Sequence, residues 1–211
     1  MKNAKRTTIL TTLVCLLPLV AGALLYARLP ERVPTHWGSD GTVNGWSSRA
    51  FAAFGLPAMM AGIHLLLVFA LRSDPKRANM SGALLTVSFW ICPVLSVLIS
   101  AQIYGMALGH SFDVTRIVSA LVGVVFLVIG NYLPKTHQSY TMGIRLPWTL
   151  ASEENWDRTH RLAGFLWVLV GAAVLLLALL GAANGGVLLA LLLAAVLIPT
   201  GYSYVLYRRG V

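Results

Sequence analysis

Charge is scarce in this sequence, and negative charge most of all. Asp and Glu total 7 of 211 residues, and all charged residues make up 11%. A water-soluble domain carries about 25% charged residues, so a soluble fold would leave the apolar runs with nowhere to hide. The shortage of carboxylates also means that no chain of acidic groups crosses a bilayer. No pair of matched broken helices stands in for one, and proton-coupled transport therefore lacks its usual signature. Cysteine is nearly absent too. Cys15 and Cys92 both fall inside apolar runs, without a CxxC or Cys/His cluster, so a disulfide framework or zinc site has no support and buried thiols are expected. No internal repeat or low-complexity linker is visible.

What is abundant is hydrophobic residue, 57% of the chain. Six apolar runs stand out, at about Thr7–Ala27, Phe51–Leu71, Gly82–Met106, Val114–Leu133, Leu162–Leu180 and Val187–Tyr207. Each approaches the ~20 residues that cross a ~30 Å hydrocarbon core at 1.5 Å per residue. The first run follows Lys2, Lys5 and Arg6 and contains Ala21-Gly22-Ala23, features shared with signal peptides. Its length, and the runs behind it, favour a retained anchor. Pro18, Pro57, Pro93 and Pro199 lie within runs; in lipid they predict kinks rather than breaks, provided a neighbour satisfies the freed carbonyl. The expected fold is an all-α integral membrane protein with six transmembrane helices, divided at residues 1–80 and 81–211.

The net charge of +9 does not point to nucleic acid, because Lys and Arg flank the apolar runs instead of forming a basic face. Of 16 such residues, 12 fall in the N-terminus, the loop at 72–77, the loop at 134–161 and the C-terminal tail. Arg28, Arg32, Arg49 and Arg116 lie on the opposite set. The positive-inside rule then places both termini in the cytoplasm, with the protein multi-pass in the membrane.

Two connectors are too long to be mere links. The outer one, residues 28–50, contains Pro34-Thr35-His36-Trp37, Asp40-Gly41, Asn44-Gly45 and Trp46. The glycine dipeptides predict turns, and the two tryptophans are candidate surface anchors. The inner one, residues 134–161, is expected to be an amphipathic cytoplasmic segment. In it Gly143 permits close backbone approach and Arg145 offers a fixed cationic fork beside Pro147. Ser152 is a helix cap, with Glu153 and Glu154 in the first turn where the dipole favours carboxylates. That helix is expected to lie along the membrane on Trp156 and then turn into the fifth span. Bound there, its basic residues would meet anionic lipid.

The pattern Asn131-Tyr132-Leu133-Pro134, Gly143-Ile144-Arg145-Leu146-Pro147-Trp148-Thr149 and Asn155-Trp156 through His160-Arg161 resembles the signature of the SdpI family. Ser139-Tyr140 stands where that family usually has Asn before an aromatic. The outer loop resembles the domain of unknown function that often precedes the SdpI core. This resemblance implies an immunity protein, multi-pass in the bacterial cytoplasmic membrane, against a secreted toxic peptide, with no cofactor and no catalytic residue. It also implies that the inner face can hold a cytoplasmic transcriptional repressor. Pro34, His36, Trp37, Asp40, Gly41 and Trp46 are then the candidate toxin-binding residues. Asn131, Gly143, Ile144, Arg145, Pro147, Trp148, Thr149, Trp156, His160 and Arg161 are candidates for the inner partner.

Sharper chemistry finds less support. Glu153-Glu154-x-x-x-Arg158 matches the first motif of an intramembrane protease class, but the required histidines do not face it. His36, Asp40 and His110 share the outer side without a zinc spacing, and no metal is expected. His64 and Arg116 are polar within or at the ends of spans, where an ionisable group is costly and a functional role is one default. They would dominate if the chain were instead a small-molecule or peptide exporter. Asp113 and Arg116 are spaced to pair at i,i+3. The remaining alternative is a structural membrane component with no toxin.

Overall fold

The computed structural model describes residues 2–80 and 82–211, with side chains from residue 5 onward. The side chain of Lys2 and the boundary residue Ser81 lie outside the described residues. The elements run α1 (Lys2–Leu25), β1 (Arg32–Trp37), β2 (Val43–Ser48), α2 (Leu56–Ser73), α3 (Gly82–Ala107), α4 (Val114–Tyr132), α5 (Pro147–Ala151), α6 (Glu153–Leu179) and α7 (Gly185–Arg208). All of these helices except α5 are long and apolar enough to cross a bilayer. Their outward faces are greasy: Leu13, Leu17, Val20 and Leu24 line α1, and Leu189, Leu193, Val196 and Leu197 line α7, all exposed. The interiors hold polar groups beside apolar ones, with Thr11, His64, Ser96 and Ser119 almost fully buried. Lipid as solvent permits this mixture, since hydrocarbon gives apolar side chains little reason to turn inward.

Two compact units form. The first comprises residues 1–72 and 82–112, the second residues 73–81 and 113–211. Helix α3 therefore packs with the N-terminal unit, and the 73–80 connector packs with the C-terminal one.

In the first unit, α1 and α3 run side by side, joined by a bond from the Ser96 hydroxyl to the Cys15 carbonyl at 2.9 Å. Cys15 and Cys92 are both free and buried, as expected. A π-helical turn at Phe51–Gly55 leads into α2, and Pro57, lacking an N–H, leaves the Ala53 carbonyl without its helical partner. The Tyr104 hydroxyl lies 3.3 Å from that oxygen, 3.2 Å from Ala52 O and 3.1 Å from Pro18 O. One phenol thus serves the carbonyls of a distorted turn that lipid cannot solvate. Gly22 sits beneath it; a Cβ there would meet Ala53 O at 2.6 Å.

In the second unit, α4 and α6 approach at backbone contact. Gly123 and Gly130 on α4, and Gly164 and Gly171 on α6, are each seven residues apart. A Cβ on Gly123 would lie 2.9 Å from Gly171 O, and one on Gly171 would lie 2.7 Å from Leu127 N. Small residues at a fixed interval let two membrane helices exchange dispersion contacts along their backbones. In α7, Pro199 frees the Ala195 carbonyl, and the Trp167 indole N–H donates to it at 3.0 Å. The helix runs on through the proline. Helices α1 and α3 likewise continue through Pro18 and Pro93.

A branched side chain at Gly130 or Gly171 must push α4 from α6. Gly171→Leu is expected to cost about 1–3 kcal/mol, lowering the melting temperature in detergent by several degrees. Gly62→Leu, at a position with nothing within 4 Å of the added carbon, should leave it unchanged.

Candidate functional site

The outer loop of the first unit is an antiparallel hairpin. Its register pairs Arg32 with Ser48, Pro34 with Trp46, His36 with Gly45 and Trp37 with Val43, with irregularities on either side of His36. The turn is residues 38–42: Gly38 N–H donates to Thr42 O at 2.8 Å, and Gly41 carries φ +78. Asp40 accepts both the Thr42 N–H at 3.1 Å and its hydroxyl. Those bonds, the backbone one first, hold the Asp40 carboxyl below its ordinary range. Asp40-Gly41 therefore turns as expected, but Asn44-Gly45 lies inside β2. Gly45 is needed there because a Cβ would strike the His36 side chain across the bulge, 2.8 Å from its Cβ.

One face of the hairpin is buried. Val33 and Leu29 are almost fully enclosed with Ala52, Ala53, Ile103 and Tyr104. Trp37 packs against this core, with its indole nitrogen buried and without a partner among the described residues. At the base, the Arg49 guanidinium lies over the Tyr26 ring and donates to Leu29 O. The other face points away: Arg32, His36, Asn44, Trp46 and Ser48 are exposed, and His36 Nδ1 pairs with the Asn44 side chain. Of the six candidates, His36, Asp40 and Trp46 are exposed. Pro34 and Gly41 are half-buried framework, and Trp37 faces inward. Asn44 was missed; its position two residues before Trp46 on a strand was the available signal.

The inner segment is folded onto the ends of α6 and α7. Ser152 caps α6 by accepting the Asn155 N–H, but α6 runs unbroken from Glu153 to Leu179. The capped helix is itself the start of the fifth span and does not lie flat before it. The short helix of the segment is α5, in which the Thr149 hydroxyl bonds Ile144 O at 2.8 Å and accepts the Leu146 N–H. Glu154 pairs with Arg158 on the exposed side.

Three fully buried α6 side chains hold the segment down. The Trp156 indole donates to Thr136 O at 2.8 Å. His160 stacks on Trp156 with ring centroids 4.0 Å apart, donates from Nδ1 to Trp156 O and accepts the Ile144 N–H at Nε2, 2.8 Å. Both nitrogens are occupied, and the roles define a neutral imidazole with its proton on Nδ1. Gly143, at φ +93, lies against both rings, where any Cβ would collide. Asn155 accepts the Ser203 hydroxyl at 2.6 Å and donates to Ser203 O, while Trp148 Nε1 donates to the same hydroxyl.

The connector 73–80 completes this cluster. Asp74 accepts the Ser139 hydroxyl at 2.7 Å, the Thr141 N–H at 2.8 Å and the Lys76 N–H at 2.7 Å. Burial raises the Asp74 pKa, but the bonds from Ser139, Thr141 and Lys76 together outweigh it and bring the carboxyl below its ordinary value. Lys76 Nζ reaches Gln138 Oε1 at 2.6 Å, and Asn79 donates to Gln138 O. Of the inner candidates, Gly143, Ile144, Trp148, Thr149, Trp156 and His160 thus belong to one network. Arg145 donates to Tyr140 O from the surface, and Asn131, Pro147 and Arg161 are exposed outside it. Asp74, Gln138, Ser139, Asn155 and Ser203 were missed. The intramembrane candidates are structurally engaged: His64 Nε2 bonds the Thr11 hydroxyl at 3.1 Å, and Arg116 caps α6 through Leu179 O. Asp113 accepts the Arg116 backbone N–H as a helix cap, so the expected ion pair between their side chains does not form.

Residues 135–203 match the SdpI/YfhL protein family, and residues 13–61 match a domain of unknown function, DUF1648. From residue 135 to residue 203 the chain is therefore similar to the SdpI family. Immunity protein SdpI of Bacillus subtilis strain 168 is 27% identical over 206 residues, 97% of each chain. No solved structure matches the chain significantly. With its six apolar helices, the chain is a multi-pass protein of the cell membrane. Its DUF1648 stretch runs from α1 through the whole hairpin into α2. Its SdpI stretch holds the inner segment, α6 and α7 as far as Ser203. Asp74 and its connector lie outside both stretches.

Two outcomes follow for the inner segment. Gly143→Ala is expected to destabilise the protein by about 1–2 kcal/mol from backbone strain alone, measurable by thermal unfolding in detergent. Because the folded Asp74 pKa is depressed, its contribution is present above the unfolded value of about 3.9 and is lost as pH falls below it. A stability profile that declines below about pH 4 should flatten in Asp74→Asn.

Proposed function

We propose that this protein is a non-enzymatic immunity protein that protects the cell membrane against a secreted, membrane-active peptide, and that the peptide is met by the exposed face of the outer hairpin. The observation that carries this reading is end-to-end similarity to a protein named for immunity, combined with a rigid hairpin on the side that the positive-inside rule assigns to the exterior. A buried face anchors the hairpin to α1 and α3, so the opposite face is presented in one fixed arrangement. Trp46 supplies a large apolar surface, 51% exposed, and Arg32 and the His36–Asn44 pair supply polar contacts beside it. An amphipathic peptide asks for this mixture.

At the inner face, we propose that the ordered segment 134–161 is where a cytoplasmic transcriptional repressor docks. Signalling to it requires the peptide to favour one helix arrangement over another. Protection by sequestration does not require this.

Expression in a toxin-sensitive host tests the reading. Trp46→Ala is expected to reduce the tolerated peptide concentration about tenfold, the effect of losing an aromatic anchor worth ~1.4 kcal/mol. His36→Ala should weaken protection less. Full protection after replacing residues 32–48 by a flexible linker of equal length would remove the hairpin as the receptor.

A further inference from the structure

The connector between α2 and α3 is the one stretch in which helices of the first unit lead directly into the second unit's packing and back. It leaves α2 at Ser73, makes a 3-10 turn at Arg77–Asn79 and re-enters α3 at Gly82. A simple link needs no anchoring, and connectors of this length are usually solvated. This one has its carboxylate 6% exposed. Three of its side chains, Asp74, Lys76 and Asn79, are bonded to Gln138, Ser139 and Thr141, some sixty residues away in sequence.

The residues it holds are strategic. Ser139 also accepts the N–H groups of Thr141 and Met142 at 3.1 Å, so the Asp74–Ser139 pair shapes the turn leading into Gly143. Gln138 donates to Thr149 O at 3.0 Å, tying the connector to α5. From Gly143 the chain enters the His160–Trp156 stack. A pull on Asp74 therefore reaches α5 through Gln138 and the α6 network through Ser139.

We propose that residues 74–80 form a strap that couples helices α2 and α3 to the inner segment, with Asp74 as its latch. A rearrangement of those helices, such as one caused by a peptide on the hairpin, displaces the strap and loosens residues 138–144. This device rests on the hairpin being the outer contact, but its test does not. It provides the two-state element that an outer event needs if it is to change an inner surface.

The experiment is a double-substitution cycle on the full chain in lipid nanodiscs, read by amide hydrogen exchange at residues 138–144. Tyr104→Phe perturbs the first unit by removing the hydroxyl on the π turn. With the strap intact it is expected to change exchange at 138–144 by about fivefold, the lower end of ordinary site coupling. In an Asp74→Ala background, the same substitution should change it by less than twofold. Asp74→Asn, which keeps the shape and some acceptor capacity, should fall between. Retained protection in α6 residues 163–175 certifies the fold of each variant. An equal Tyr104→Phe effect with and without Asp74, or no effect in either, overturns the strap. If the strap holds while replacement of the hairpin leaves protection intact, only the outer-contact reading fails.

Discussion

Hydrocarbon cannot hydrogen-bond, and this constraint explains where many polar groups of the described residues sit. Backbone carbonyls freed by proline must be met by protein. Tyr104 and Trp167 meet those opposite Pro57 and Pro199. A buried histidine must find a partner inside the bundle, and Thr11 serves His64. The guanidinium of Arg116 is spent on the open end of α6. These groups are costly because no water replaces a lost partner, so each also fixes a helix position. Both candidates within the bilayer, His64 and Arg116, thus have a structural partner.

The two surfaces are built differently. The hairpin is held from one side by apolar packing, and its polar and aromatic residues are left outward. The inner segment is held by hydrogen bonds, several of them fully buried, and its latch residues are drawn from α6, α7 and the α2–α3 connector. A surface fixed by packing presents one shape. A surface fixed by a connected polar network can change cooperatively when one member is lost, because each unpaired buried group then costs about 1–3 kcal/mol. This difference suits a receptor outside and a switchable face inside.

Much of this was legible in the sequence. Spans α2, α3 and α4 begin within a residue or five of the apolar runs that predicted them, because hydrophobic length is a local property. The Ser152 cap and the Asp40-Gly41 turn were equally local. The hairpin strands were not legible: Pro34 argues against a strand, and Asn44-Gly45 imitates a turn whose real site, Asp40-Gly41, lies four residues earlier. The continuous α6 was hidden because its first three turns carry Glu153, Glu154, Asp157 and Arg158, which read as surface. The α4–α6 contact was signalled by glycines at seven-residue intervals, but a glycine pattern on one helix does not name its partner. The Asp74–Ser139 bond joins residues 65 apart, and no short-range pattern encodes that pairing.

The positive-inside rule assigns the hairpin and the inner segment to opposite sides of the membrane. Single cysteines at Asp40 and Tyr140, in a chain with Cys15 and Cys92 replaced by alanine, test it in intact cells with a membrane-impermeant maleimide. Asp40→Cys should label from outside, and Tyr140→Cys should label only after the membrane is permeabilised. Labelling of Tyr140→Cys in intact cells with Asp40→Cys protected would contradict the account.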